Sequence, residues 1–282
     1  MLHACEKFGK LLSEQGYSTE AVTLQIEVLN VRNKTHGGEH PRTLDAMENL
    51  AVIYHSLGKY TESEKLVIQV LDSRKRILGV EHPDTIFSME NLAMIYYNLG
   101  KFTESENLGI QVLDARNRIL RVEDPDTIFA MENLAVTYQG LGRYTESEKL
   151  EIQVLDARNR ILGVEHPDTI SAMADLAATY QSQGKYIESE KLEIQVLDVR
   201  NKILGVQHPQ TILAMENLAI TLGSLGKSEE AQKLIIQAQE LKNKHFSHPL
   251  TLTSVRRSGS VWFFAPKMGN RGPQPVQDQP RY

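Results

Sequence analysis

Five polar side chains recur at a 42-residue interval: Asn49, Asn91, Asn133, Asp175 and Asn217. Each stands directly before a Leu-Ala pair, and Glu48, Glu90, Glu132 and Glu216 precede four of the five. The chemistry of such a set is hydrogen bonding rather than bond breaking. A carboxamide both donates and accepts, so it can hold a peptide N–H and C=O together. Two readings fit the Asn ladder: contact with a bound segment, or bonds to the neighbouring repeat that set its stacking. The carboxylates beside it either give a binding surface a negative bias or form a solvated acidic face.

Other recurring side chains lead away from catalysis and metals. His40, His82, His166 and His208 stand one per repeat, each before a proline. A metal needs ligands that converge on one ion, whereas these lie on the order of two helix spacings apart. Helix capping is a sufficient role. Arg74, Arg116, Arg158 and Arg200 each follow an acid by two residues, at Asp72, Asp114, Asp156 and Asp198. Residues two apart do not face each other on a helix, so their ion pairs are expected between repeats, exposed and weak. The chain holds no glycine-rich phosphate loop, no Gly-x-Ser-x-Gly and no zinc-type His spacing. It reads as non-catalytic, without cofactor or metal. Cys5 falls where Met47 stands one repeat later, on a buried stripe, and is a core residue.

The elements that place these side chains repeat with the same interval. Pro41, Pro83, Pro125, Pro167 and Pro209 open near-copies of one unit, and a fixed period of this size signals a repeat architecture. Within residues 83–120, Pro83 suits a first helical turn, because its missing N–H has no helical partner there. Asp84 puts a carboxylate at the positive helix end. Met89, Leu92, Ala93, Tyr96 and Leu99 recur at three- and four-residue steps and share a face. Gly100 ends that helix in the left-handed conformation, Lys101-Phe102 makes the turn, and a second helix starts near Thr103. Leu108, Ile110, Val112, Leu113, Ile119 and Leu120 give it apolar surface on more than one side, which predicts a helix sandwiched between neighbours. The units run 1–39 (a diverged repeat), 40–81, 82–123, 124–165, 166–207 and 208–245 (a capping repeat), followed by a flexible basic tail at 246–282.

The departures from this plan are few. Shifted by one interval, Gly16 falls on Gly58 and Arg32 on Arg74, so the first segment is a repeat as well. Its Phe8, Leu11 and Leu12 present an apolar face where a terminal repeat needs a polar one, and the expectation is a piece of a longer protein. Arg121 and Asp124 replace the usual Gly and His, so the helix end there should differ. Gln183 replaces a leucine, and the final helix turns polar at Gln237, Gln239 and Lys242, as a cap would.

The pattern Leu-Ala-x-x-Tyr-x-x-x-Gly-Lys/Arg-Tyr-x-Glu-Ser-Glu, at Leu50–Glu64 and Leu134–Glu148, resembles the tetratricopeptide repeat. The unit is about eight residues longer than the common form. With Met-Glu-Asn-Leu-Ala and Leu-Gly-Val-Glu-His-Pro-Asp-Thr it is similar to the kinesin-light-chain subtype, over residues 1–245. The resemblance implies an all-α fold, a right-handed superhelical solenoid of antiparallel helix pairs, and the Gly-, Ser- and Pro-rich composition beyond it predicts a disordered C-terminal tail. It also implies that the first helices line a concave groove which binds extended peptides, with the Asn ladder facing it. Packed helices lie roughly 10 Å apart and an extended peptide advances about 3.3 Å per residue, so one amide meets roughly every third peptide residue. Carboxylate-binding versions of the fold set Lys or Arg beside the Asn. Glu48, Glu90 and Glu132 point instead to a neutral or basic segment.

Further groove positions are Phe87, Phe129, Leu213, Met94, Val136, Ile220, Tyr97 and Gln139, which either form side-chain pockets or pack on the facing repeat. The resemblance implies a protein or peptide partner in a cargo adaptor, whose longer form joins kinesin heavy chain. The same subtype forms the ligand-sensing array of larger NTPase receptors, and the near-identity of successive repeats suits that alternative.

Bulk composition agrees with a soluble scaffold. The 282 residues are 41% hydrophobic and 24% charged. A net charge of −5 argues against nucleic acid as the partner. The single cysteine excludes an internal disulfide and suits a reducing compartment. No apolar run reaches the roughly 20 residues of a membrane span, so the chain is read as cytoplasmic.

Overall fold

Proline stands at the start of the first helix in the five repeats from residue 40 onward, and the residue before it caps that helix. The Nδ1 atoms of His40, His82, His166 and His208 accept the backbone N–H of the residue two positions on. The carboxylate of Asp124 does the same for Asp126. These side chains satisfy an otherwise orphaned N–H, so histidine and aspartate are interchangeable here as caps.

The computed structural model describes residues 18–246. Its helices are α1 (Ser18–His36), α2 (Pro41–Ser56), α3 (Tyr60–Leu78), α4 (Pro83–Asn98), α5 (Phe102–Ile119), α6 (Pro125–Gly140), α7 (Tyr144–Leu162), α8 (Pro167–Ser182), α9 (Tyr186–Leu204), α10 (Pro209–Ser224) and α11 (Ser228–Phe246). The described residues contain no strand. Cys5, Phe8, Leu11, Leu12, Gly16 and the tail beyond Phe246 lie outside them. Each helix packs on the helices before and after it in the chain, and α4 also touches α6. The result is the all-α right-handed solenoid of antiparallel helix pairs.

Each motif position has a mechanical role. The Ser of Glu-Ser-Glu is buried, and Ser63, Ser147 and Ser189 donate to the carbonyls of Ala51, Ala135 and Ala177 at 2.7, 2.9 and 2.9 Å. That bond ties the two helices of a pair near their shared turn. In the turn, Lys59, Lys101, Arg143 and Lys185 lie over the rings of Tyr54, Tyr96, Tyr138 and Tyr180 at 5.8, 5.2, 4.7 and 5.4 Å. Lys101, Lys185 and Lys227 also reach Glu64, Glu148 and Glu190 of the preceding repeat at 2.6, 2.7 and 2.6 Å. Each such exposed contact is weak on its own, but the cation over the tyrosine and the reach to the preceding repeat occur together at Lys101, Arg143 and Lys185.

The core runs between the layers as a chain of apolar clusters. Ile86, Met89, Leu92, Ile95 and Val112 form one, and Ile128, Met131 and Val154 continue it. The second helices are less enclosed than their composition predicted. In α5, Val112 is buried and Leu108 and Leu113 are half-buried, but Ile110 and Ile119 are 38% and 45% exposed. Solvent, not another layer of helices, covers that outer side. The altered helix end is as expected: α5 stops at Ile119, and Leu120 takes φ −120°, whereas Gly79, Gly163 and Gly205 take 87°, 84° and 84° at the matching ends. Arg121 thereby avoids a left-handed conformation that costs a side-chain-bearing residue roughly 1–2 kcal/mol.

Two helical glycines make opposite predictions. A Cβ on Gly140 would lie 2.8 Å from two ring atoms of Phe102 and 3.2 Å from Tyr97, whereas one on Gly223 would meet nothing within 4 Å. Gly223→Ala should therefore raise stability by about 0.5–1 kcal/mol through helix propensity. Gly140→Ala should lower it by about 1–3 kcal/mol, because the rings must move out of a packed seam. Urea unfolding of both variants against the parent checks the pair.

Candidate functional site

The ladder residues lie on the stripe of the first helices that the second helices leave uncovered. In α8 that stripe is Ser171, Asp175, Ala178 and Ser182, at helical spacing, and three of the four are exposed. Asn49 is exposed, while Asn133, Asp175 and Asn217 are half-buried. Phe87, Phe129, Leu213 and Val136 are half-buried on the same stripe, and Ile220 is 63% exposed. These side chains share the uncovered stripe of the first helices.

It corrects others. Asn91 is only 3% exposed and donates from Nδ2 to Glu48 Oε1 at 3.2 Å. Met94 is buried as well. Tyr97 stands edge-on to Phe102, with ring centroids 5.3 Å apart, against the backbone at Gly140. Gln139 turns inward and donates to Glu151 at 2.7 Å and to Thr179 at 2.8 Å.

The acidic face expected beside the ladder is absent, because its carboxylates are used within the repeats. Arg74 Nη1 donates to Glu48 Oε2 at 2.7 Å and to Ser88 Oγ at 2.7 Å. Arg116 clasps Glu90 through Nε at 3.2 Å and Nη2 at 2.7 Å. Arg158 meets Glu132 at 2.7 Å. Glu48 and Glu90 are buried and Glu132 is half-buried, so none of the three offers a free negative charge. The arginine pairs expected to be exposed are internal instead: Arg74 is 2% exposed. The acids two residues before each arginine are not its partners. The signal was a longer one, Glu to Arg across the helix pair, at 48 and 74, 90 and 116, and 132 and 158.

Residues that the sequence reading passed over lie behind the stripe. Glu151 and Glu193 are buried on second helices, where other repeats carry Val67, Gly109 and Ile235. Ser147, Thr179 and Gln139 all donate to Glu151 Oε1, at 3.2, 3.0 and 2.7 Å. Gln181 donates to Glu193 Oε1 at 2.8 Å and to Thr221, which stands beside the same carboxylate. Oε2 of both glutamates is buried without a partner. Burial pushes both carboxyls up to about 7, against the opposing hydrogen bonds.

Burial also pushes Glu90 and Glu132 up to about 7 against their arginines, and Asp175 up to about 6 against Arg158 and Arg200. A cavity of about 20 Å³, enough for one water, is lined by Glu132, Glu151, Asp175, Ala135, Val136, Val154 and Ala172. Among the described residues no set of His, Cys, Asp and Glu side chains is arranged to hold a metal, and no helix is long and apolar enough to cross a membrane. The chemistry on offer is a hydrogen-bonding surface.

Comparison with known proteins agrees with this geometry. The sequence pattern of the tetratricopeptide repeat matches residues 4–66, 42–118, 126–200 and 170–244. The structure of a Podosopora anserina kinesin-light-chain-type protein with nearly identical TPR-like repeats is 30% identical, with a TM-score of 0.66 over 72% of this chain and 96% of that one. BtubC (BKLC) of P. vanneervenii superposes with a TM-score of 0.65 at 16% identity, over 93% of this chain and 98% of that one. The apo quorum sensor NprR of B. thuringiensis does so with 0.62 at 15% identity, over 86% of this chain and 66% of that one. The last two share the fold alone. No curated protein matches the chain.

The uncompensated carboxyls set a pH dependence. Glu151 and Glu193 have no cation in contact among the described residues, and their folded-state values lie above the ordinary 4.5 of the unfolded chain. The folded array therefore holds protons more tightly than the unfolded chain. Its stability is full below about pH 4.5 with respect to these groups, and is lost as pH rises through about 7. Melting temperature should fall between about pH 5 and pH 8, and Glu151→Gln with Glu193→Gln should flatten that slope and melt a few degrees higher at the alkaline end. Calorimetry across the range checks both.

Proposed function

The chain belongs to the tetratricopeptide repeat family in its 42-residue, kinesin-light-chain-like form, and from that premise we propose that it binds an extended peptide segment along its inner layer. It acts as a non-catalytic scaffold of the adaptor kind. The observation that carries this reading is the state of the ladder in the C-terminal half. Asn133, Asp175 and Asn217 are solvent-accessible, and their side chains form no hydrogen bond among the described residues, whereas Asn91 is spent on Glu48. Three unspent amide or carboxylate groups, one per first helix, can hold a peptide backbone by pairing its N–H and C=O groups.

Phe129, Val136, Leu213 and Ile220 share the stripe and supply apolar contacts for alternate side chains of such a segment. The partner is a neutral segment: Arg74, Arg116 and Arg158 cancel the glutamates that would have favoured a basic one. Its setting is the cytoplasm. Attachment to kinesin heavy chain in a longer form would join this surface to a motor.

Asn133→Ala with Asn217→Ala should abolish most binding on a peptide array while leaving the helical circular dichroism and melting temperature unchanged. Asn91→Ala should act in the opposite sense, on stability rather than on binding. Equal array signals from the parent and the Asn133/Asn217 double variant would sink the proposal.

A further inference from the structure

The repeat at 166–207 breaks the ladder rule at two adjacent positions. Elsewhere the first helix presents Glu followed by Asn, at Glu48-Asn49, Glu90-Asn91, Glu132-Asn133 and Glu216-Asn217. Each glutamate takes a cation from the second helix: Arg74, Arg116, Arg158 and Lys242. Here Ala174 and Asp175 replace the pair, while Arg200 keeps the cation's place. Arg200 is 7% exposed. Its Nη1 donates to the carbonyl of Gln210 at 3.2 Å, and its Nε is buried with no partner. Asp175 feels Arg200 and Arg158 electrostatically but forms neither a hydrogen bond nor an ion pair with them. A guanidinium aimed at a missing acceptor thus sits near a carboxylate without a donor.

The stripe is recessed at this point. Ser171 and Ala178 are small where the flanking repeats carry Phe129 and Val136 on one side and Leu213 and Ile220 on the other, and Ala174 stands where they carry Glu132 and Glu216. An incoming side chain can therefore pass Ala174 and reach the position that a glutamate fills in the other repeats.

The chemistry of the recess selects what enters. A ligand carboxylate would meet Asp175, and a ligand ammonium would meet Arg200. An apolar side chain would leave both charges without partners, which is costly for buried groups. A primary carboxamide offers an acceptor and two donors on one neutral group. We propose that the recess at Ala174 is a subsite for a glutamine or asparagine side chain of the bound segment, its C=O accepting from Arg200 and its NH2 donating to Asp175. This rests on the peptide-binding reading above and adds a residue preference to it. A site built to satisfy a polar group discriminates strongly against analogues that lack it, so the preference should be about tenfold or more.

The test screens the intact chain with a positional-scanning library of short peptides, then with resynthesised hits carrying Gln, Glu, Lys or Leu at the selected position. Gln or Asn should be enriched at one position and favoured about tenfold over the other three. Ala174→Glu, which restores the residue of the other repeats and re-pairs Arg200, should remove that preference and keep the fold. Asp175→Asn, the ladder's own residue, should move the preference from Gln to Glu. Binding with no Gln or Asn preference, or a preference unmoved by both variants, overturns the subsite and leaves the groove reading standing. Binding that does not depend on Asn133 and Asn217 overturns both.

Discussion

A solenoid of helix pairs has no deep interior. Every helix here packs on its chain neighbours and on little else, so each buried polar group must find its partner within one repeat or the next. Arg74 shows what this demands. Its guanidinium, 2% exposed, joins Glu48 and Asp45 of α2 to Ser88 and the Asp84 carbonyl of α4. One side chain of α3 thereby fixes the helices on both sides of it. Breaking such a pair strands a buried charge at a cost of about 3–5 kcal/mol, far more than any turn contact supplies. The spacing of the repeats, and with it the spacing of the ladder, follows from these internal pins as much as from apolar packing.

This constraint explains why the fold was readable in the sequence and the site only in part. Helix starts, caps, turns and the Leu-Ala-Tyr stripe depend on local chemistry, which residues a few positions apart disclose. The caps at His40 and His82 and the shortened end of α5 were legible for that reason. The fate of Glu48, Glu90 and Asn91 was not. They look solvent-facing on a single helix, and only a partner from the second helix shows that they are buried. Tyr97 and Gln139 misled in the same way: the same position of two first helices, one ring lying on a glycine, one amide turned into a seam. Exposure on an isolated helix is a poor guide where a neighbouring repeat covers half of it.

The near-identity of the repeats makes their differences informative. At the seam between pairs, the first repeats use rings and aliphatics: His55 stands edge-on to Tyr60 with centroids 5.1 Å apart, and Tyr97 to Phe102 at 5.3 Å. Burial holds His55 near 4, so it is neutral and free to share a hydrogen bond with Asn98. The next two seams use amides and acids at the same positions. One half of the array is closed by apolar contacts, and the other by polar contacts that titrate.

The polar seams also show that the substitutions come as sets. Gln139, Glu151 and Thr179 occupy one seam, and Gln181, Glu193 and Thr221 the next. At the corresponding positions an earlier seam has His55, Val67 and Ile95. The intermediate case is Tyr97, Gly109 and Thr137, where the lone threonine bonds to Ser105 and the Asn133 carbonyl instead. A buried carboxylate without its donors would be strongly destabilising, so Glu151 is tolerable only where glutamine and threonine arrive with it. The Ala174-Asp175 exchange does not follow this rule of complete sets. It removes the acceptor of Arg200, keeps the arginine, and moves the negative charge to a position that does not touch it. Glu151 and Glu193 at least bring donors with them, whereas the buried Nε of Arg200 has no partner among the described residues, and that is the gap the proposed glutamine or asparagine side chain would fill.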